Sequence, residues 1–291
     1  MAAPTTTAAP HQPAPARPAG ARKIGRRAAG GIGPLGLGVA TLWLSLIVLL
    51  PLAAVIVKSF DNGIGGFIDA IDAPAARAAL LVTLSVSAVV ALVNVVMGTL
   101  IAWVLVRDDF PGKSIVNALI DLPFALPTIV ASIVLLSLYG PESPIGVHLN
   151  ATRPALVIAL LFVTLPFVVR SVQPVLIELD KEVEEAAASL GASNGLILRK
   201  IILPTLAPAI LSGAGLAFTR AIGEYGSVVL IGGGIPRETE VASQYIQKQI
   251  EIDRFVNGAA VSVALLAIAF SVLFVLRIIG SRTARREEAA R

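Results

Sequence analysis

The chain has 291 residues, of which 56% are hydrophobic and 14% charged. A soluble globular domain carries about 25% charged residues, so this composition, with a mean hydropathy of +0.84, excludes a single soluble domain and a disordered chain alike. The formal net charge is +4 and there is no cysteine, which removes disulfide frameworks, thiolate zinc sites and iron–sulfur clusters. There are only two histidines, His11 in the N-terminal tail and His148 in a loop, which argues against a histidine-built metal site.

Residues 1–33 are rich in Ala, Pro and Thr and carry Arg17, Arg22, Lys23, Arg26 and Arg27. They read as a disordered basic tail. The apolar run Leu35–Val57 that follows is too long for the apolar h-region of a signal peptide and has no A-x-A cleavage site after it, so it reads as the first membrane span. Five more spans are expected near Leu80–Val106, Ile115–Tyr139, Pro154–Val172, Pro208–Ile231 and Gly258–Ile279. Barrel-type alternation is absent, so the expected fold class is an all-α polytopic membrane protein with six transmembrane helices. Residues 34–280 form the membrane domain and 281–291 a second tail.

The Lys and Arg residues set the expected orientation. Segments 1–33, 107–114, 170–204 and 277–291 hold 16 of the 23, and the loops on the opposite side hold 6. That bias places both termini in the cytoplasm. One cytoplasmic stretch, 173–205, is long enough to do work. It reads as two short helices. Asp180 is the N-cap of the first, acidic residues follow in its first turns, Ala186, Ala187 and Ala188 give it a smooth surface, and Gly191 ends it. The second starts near Ser193 and ends at Pro204. On pattern alone this is a surface hairpin with or without a partner.

Its spacing says more. Glu185-Ala186-Ala187, then Gly191, then Ile201 and Leu203-Pro204 resemble the EAA motif of binding-protein-dependent ABC importer permeases. Residues about 35–280 resemble the CysT/CysW-type sulfate and thiosulfate permeases. The segments that carry this are Asp121-Leu-Pro-Phe-Ala-Leu-Pro-Thr-Ile-Val, Thr164-Leu-Pro-Phe-Val-Val-Arg170, Arg220-Ala-Ile-Gly-Glu224-Tyr-Gly226-Ser and Pro236-Arg-Glu-Thr-Glu240. The run from Asp108 to Val130 and the stretch after Glu184 are similar to actinobacterial CysT proteins. The resemblance implies the type I ABC importer permease fold. It also implies that Glu185, Ala186, Ala187, Gly191, Ile201, Leu203 and Pro204 form a coupling element that docks on an ATP-binding subunit. The implied partners are a pair of such subunits, a second CysW-like permease and an extracytoplasmic sulfate-binding protein. ATP and Mg would sit on the ATPase, with no cofactor in this chain. Residues 1–33 depart from the family.

Arg220 and Glu224 stand four apart in the fifth expected span, hence on one helix face. An Arg at that depth needs a partner or water. The pair is either an intrahelical packing bridge or a half-neutralised cation on an anion pathway, suited to a weak transit site. Gly213, Gly215, Ala217, Gly223 and Gly226 crowd the same span, for packing or for a hinge. Pro123, Pro127 and Pro166 are expected to kink the third and fourth spans. Val241, Tyr245, Ile246 and Ile250 give the outer loop a helical apolar stripe that either lies on the membrane or serves a gate or a docking surface.

Gly112-Lys113-Ser114 resembles the end of a phosphate-binding loop, but Arg107 stands where its first glycine belongs and no strand precedes it. The chain also shows no nucleophile–base–acid constellation, so it reads as a non-enzyme. Two other readings remain: a permease for molybdate or tungstate, and a stand-alone secondary anion carrier. The carrier would leave the EAA segment without a role.

Overall fold

A computed structural model describes residues 34–289 and the side chains of 36–280. The expected basic tail, 1–33, lies outside the described residues. The chain divides into two compact units, Met1–Pro51 and Leu52–Arg291. The described part of the first is helical: α1 (Pro34–Leu44) is followed by a π turn, Ser45–Leu49. Gly36–Ser59, which ends in α2 (Leu50–Ser59), is one stretch long and apolar enough to cross a bilayer.

The second unit continues with α3 (Gly63–Asp72), α4 (Pro74–Arg107), α5 (Lys113–Ala125), α6 (Thr128–Tyr139), α7 (Arg153–Glu178) and α8 (Lys181–Ser189). Then come α9 (Asn194–Ile197), a π turn at Leu198–Ile202, α10 (Leu203–Ile222), α11 (Gly226–Val229), α12 (Ala242–Glu251) and α13 (Phe255–Ala289). No strand occurs among the described residues. Among the described residues five helices are long and apolar enough to span a bilayer, or six if the bent pair α5 and α6 is one span.

α7 is the hub, packed against both α4 and α10. Its Leu156, Leu160, Val168, Val169, Val172 and Leu176 are fully or almost fully buried. In a bilayer, apolar contact by itself does not favour helix association, so close fit does. A Cβ at Gly98 of α4 would lie 2.8 Å from Val168 Cβ, and one at Gly213 of α10 would lie 2.8 Å from Val168 Cα. Two glycines thus let α4 and α10 close on the same residue of α7. Asn94 adds a buried hydrogen bond of 2.7 Å to Thr164, a contact worth about 0.6–2 kcal/mol between membrane helices. Large apolar residues on the outward face of α4, such as Leu81, Leu92 and Val96, stay exposed, as a lipid-facing surface requires.

Three sequence expectations change. The third span is a sharp break rather than a kink, because α5 and α6 meet at 114°. Pro127 pushes Leu126 into an extended conformation (φ −85°, ψ 134°) and brings no N–H of its own. Pro166 and Pro174, by contrast, sit inside an unbroken α7. The hairpin's second helix does not stop at Pro204. Asn194–Ile222 is one long stretch, because the π turn before Pro204 shifts the backbone pairing and Leu203 N–H bonds to Leu198 O. The Thr205 hydroxyl then donates to Ile201 O at 2.7 Å, giving that carbonyl a donor where the helix is disrupted. Finally, the fifth span ends at Ile222, and Gly223–Tyr225 separates it from α11.

Candidate functional site

The hairpin α8–α9 is built as its residues demand. The Asp180 side chain accepts from Glu182 N at 2.9 Å and caps α8. At the other end Gly191 adopts φ +86°. Gly191 N bonds to Ala188 O at 2.9 Å and Ala192 N to Ala187 O at 3.0 Å, the paired bonds of a Schellman cap. The motif residues divide by direction. Ala187 and Ile201 turn inward onto the cluster around Val169, Val172 and Leu176. Glu185, Ala186, Gly191 and Leu203 are exposed, and Pro204 is half-buried. Leu190, next to the cap, is 89% exposed, an apolar side chain held out from a polar hairpin. It lies between motif positions, so the motif spacing does not report it.

No heavy atom lies within 4 Å of a Cβ built on Gly191, so substitution there is limited by backbone conformation. Ala and Leu are each expected to weaken the cap by about 1–2 kcal/mol, whereas Asn tolerates this region. If the hairpin is the coupling element that the resemblance implies, Gly191→Leu should lower uptake relative to ATP hydrolysis and Gly191→Asn should not. Equal losses in both would exclude the cap as the cause.

Arg220 and Glu224 do form an ion pair, but not mid-helix and not on one helix face. Arg220 lies in the last turn of α10, and Glu224 lies beyond its end, in the break before α11. The Glu224 side chain is 1% exposed and that of Arg220 is 35% exposed. Glu224 also accepts from Ser227 N at 2.8 Å, and its carbonyl accepts from the Ser243 hydroxyl at 2.7 Å. The carboxylate therefore joins α10, α11 and the arginine. Gly226 lies against the start of α6, where an added Cβ would fall 2.1 Å from Thr128 Oγ1 and 2.9 Å from Ile129 N. The breaks in the third and fifth spans thus meet. Non-helical backbone at membrane depth requires enclosure by protein or a water-filled cavity, and this junction has a partly exposed arginine beside it. The junction borders a cleft of about 460 Å³ lined in part by Thr219, Tyr225, Ser243 and Ser262.

Beyond the break, α12 packs on α4 and α13. Val241 and Tyr245 of the expected stripe are buried, Ile246 is half-buried and Ile250 is exposed. Ala242 N donates to Thr83 Oγ1 at 2.7 Å. Burial, then the Glu240 carboxylate, pushes the Tyr245 phenol above its ordinary pKa, so it stays neutral at physiological pH.

Two further ion pairs were not legible in the sequence. Arg170 grips both Asp121 oxygens at 2.7 and 2.6 Å and also bonds Asn117 and Gln173. This ties α5 to α7, and it joins two of the segments that carried the resemblance. Arg107, at the end of α4, pairs with Glu184 on α8. Each joins residues 49 or 77 positions apart, a separation that no local pattern reports. Among the described residues no group of His, Cys, Asp and Glu could hold a metal ion.

Comparison with known proteins places this geometry. Residues 94–285, which include the hairpin and the junction, match the family described as "Binding-protein-dependent transport system inner membrane component". The sulfate transport system permease protein CysT of Synechocystis sp. is 42% identical over 248 residues, 83% of this chain and 87% of that protein. The chain belongs to this permease family. CysT of Escherichia coli is 39% identical, covering 87% of this chain and 94% of the relative. In a solved bacterial alginate ABC transporter, with an alginate-bound periplasmic protein, one chain superposes with a TM-score of 0.72. That match has 16% identity and covers 85% of this permease and 93% of that chain. The MetNI methionine transporter gives a TM-score of 0.55 at 20% identity, over 70% and 94%. The permease therefore has the type I ABC importer fold, is a multi-pass membrane protein and is related to transport components rather than to enzymes.

Proposed function

We propose that this permease is a membrane subunit of an ATP-driven importer of sulfate, with both termini in the cytoplasm. It works with a second, CysW-like permease, a pair of ATP-binding subunits and an external sulfate-binding protein. ATP and Mg are held by the ATPase. The observation that carries the reading is the sustained similarity to sulfate permeases over most of both chains. The molybdate and carrier readings have no such support.

The mechanism follows from the two structural features. Glu185, Ala186, Gly191 and Leu190 present the docking surface, and Ala187 and Ile201 fasten it to α7. Because α9 runs through the π turn into α10 as one long helix, displacement of the hairpin by the closing ATPase pulls on the span whose last turn carries Arg220. Arg220 faces the anion as it crosses the junction, and the Glu224 carboxylate offsets its charge. A transit site must release what it binds, so tight capture is left to the external protein.

Labelled-sulfate uptake in cells lacking this chain tests the reading. Restoring the chain should restore uptake, with inhibition by thiosulfate and not by molybdate. No restoration when all partner subunits are present would move the assignment to another oxyanion.

A further inference from the structure

α8 and α4 share no extensive backbone contact, so the connection between them is carried by side chains. Arg107 Nη2 donates to Glu184 Oε1, and the two side chains are 11% and 22% exposed. The guanidinium sits 5.5 Å from the ring centroid of Trp103, one turn back on α4, which holds it in place. Its buried Nε has no hydrogen-bond partner. A desolvated cation with one carboxylate partner is a poor way to gain stability but a well-defined joint.

α4 runs 34 residues from Pro74 to Arg107, about 50 Å at 1.5 Å per residue. Toward its far end Thr83 accepts the Ala242 amide that opens α12, and Ala76 and Ala79 are buried in the same cluster as Ala242 and Tyr245. One rigid helix therefore holds the coupling hairpin at one end and α12 at the other.

We infer that Arg107 is a positioning residue, and that the Arg107–Glu184 joint lets α4 carry motion between the ATPase-side hairpin and α12 on the opposite face. The inference rests on the importer reading above. Such coupling is reciprocal in binding free energy. A ligand-loaded binding protein seated near α12 thus signals back through α4 to the hairpin. This path is distinct from α10, which is joined to the hairpin covalently.

The test uses the complete transporter in liposomes, with sulfate-loaded binding protein as the probe. Arg107→Gln and Glu184→Gln should keep basal ATPase activity. Stimulation by the loaded binding protein should fall by about fivefold or more, with a matching fall in sulfate taken up per ATP. The charge-swapped pair, Arg107→Glu with Glu184→Arg, should recover most of both. Stimulation equal to wild type in the single variants would overturn the inference. If a single variant fails to assemble, the swap decides: restored assembly without restored stimulation makes the pair a structural clamp and overturns it too. Loss in Glu184→Gln alone would mean that Glu184 acts directly on the ATPase, which also overturns it. A wild-type complex insensitive to sulfate and its binding protein would overturn the sulfate reading itself, a result separable from the others.

Discussion

Arg220→Ala is expected to lower the amount of assembled transporter as well as its activity, so by itself it cannot reveal the arginine's role. Glu224 is the reason. Its carboxylate is almost fully buried and is shared between Arg220 and Ser227 N. Removing the arginine leaves that charge without its counter-ion, a defect of about 3–5 kcal/mol where both partners are buried and smaller here because Arg220 is 35% exposed. The double variant Arg220→Met with Glu224→Gln removes both charges, and the Gln oxygen can still accept from Ser227 N. Its assembly should return close to wild type. If Arg220 meets the anion, sulfate uptake by this variant should remain about tenfold or more below wild type, since a hydrogen bond to a charged group is worth about 1.5–3 kcal/mol. Membrane abundance of the complex and initial uptake rate are the two readings. Normal uptake in the double variant would reduce the pair to packing.

Gly226→Val should abolish assembly. Its Cβ would sit 2.1 Å from Thr128 Oγ1 and 2.9 Å from Ile129 N. The first contact could be relieved by moving a side chain, but the second is with backbone at the start of α6. Overpacking of this kind costs about 1–3 kcal/mol and more when backbone must shift. Here the shift would separate the two broken spans at the point where Arg220 and Glu224 are held. Gly226→Ala should be milder but still defective. Adding Thr128→Ala should recover part of the loss, because it removes the hydroxyl and leaves Ile129 N in place. Detergent-extracted permease that migrates as folded protein is the measure. Wild-type levels of Gly226→Val would mean that the two breaks do not meet in the assembled transporter. Gly223, four residues beyond Thr219, has only the Thr219 carbonyl near an added Cβ, at 3.8 Å, so Gly223→Ala is the matched control.

The features legible in sequence are those whose cause is local. Mean hydropathy and run length mark the spans because each must satisfy its own backbone in lipid. Asp180 and Gly191 mark the ends of α8 because a side-chain acceptor and a positive φ are needed within one turn of those positions. The hairpin's family pattern was readable because its residues lie close together in the chain. Pro204 misled because proline ends a helix in isolation, while here a π turn prepares the backbone for it. Arg220 and Glu224 misled through their spacing. Four residues place two side chains on one face only while the helix continues, and Gly223 ends it.

From its own residues, therefore, this sequence determined a polytopic helical membrane protein with one working loop outside the bilayer. The residues of that loop and their spacing carry its resemblance to ABC importer permeases. Only the tertiary structure decided that the third and fifth spans break and meet at Gly226 and Thr128, that Arg170 closes on Asp121, and that Arg107 joins α4 to the hairpin α8–α9. These depend on contacts between residues far apart in the chain. In such contacts, close approach and desolvation decide the energy, and neither quantity is written in any local run of residues.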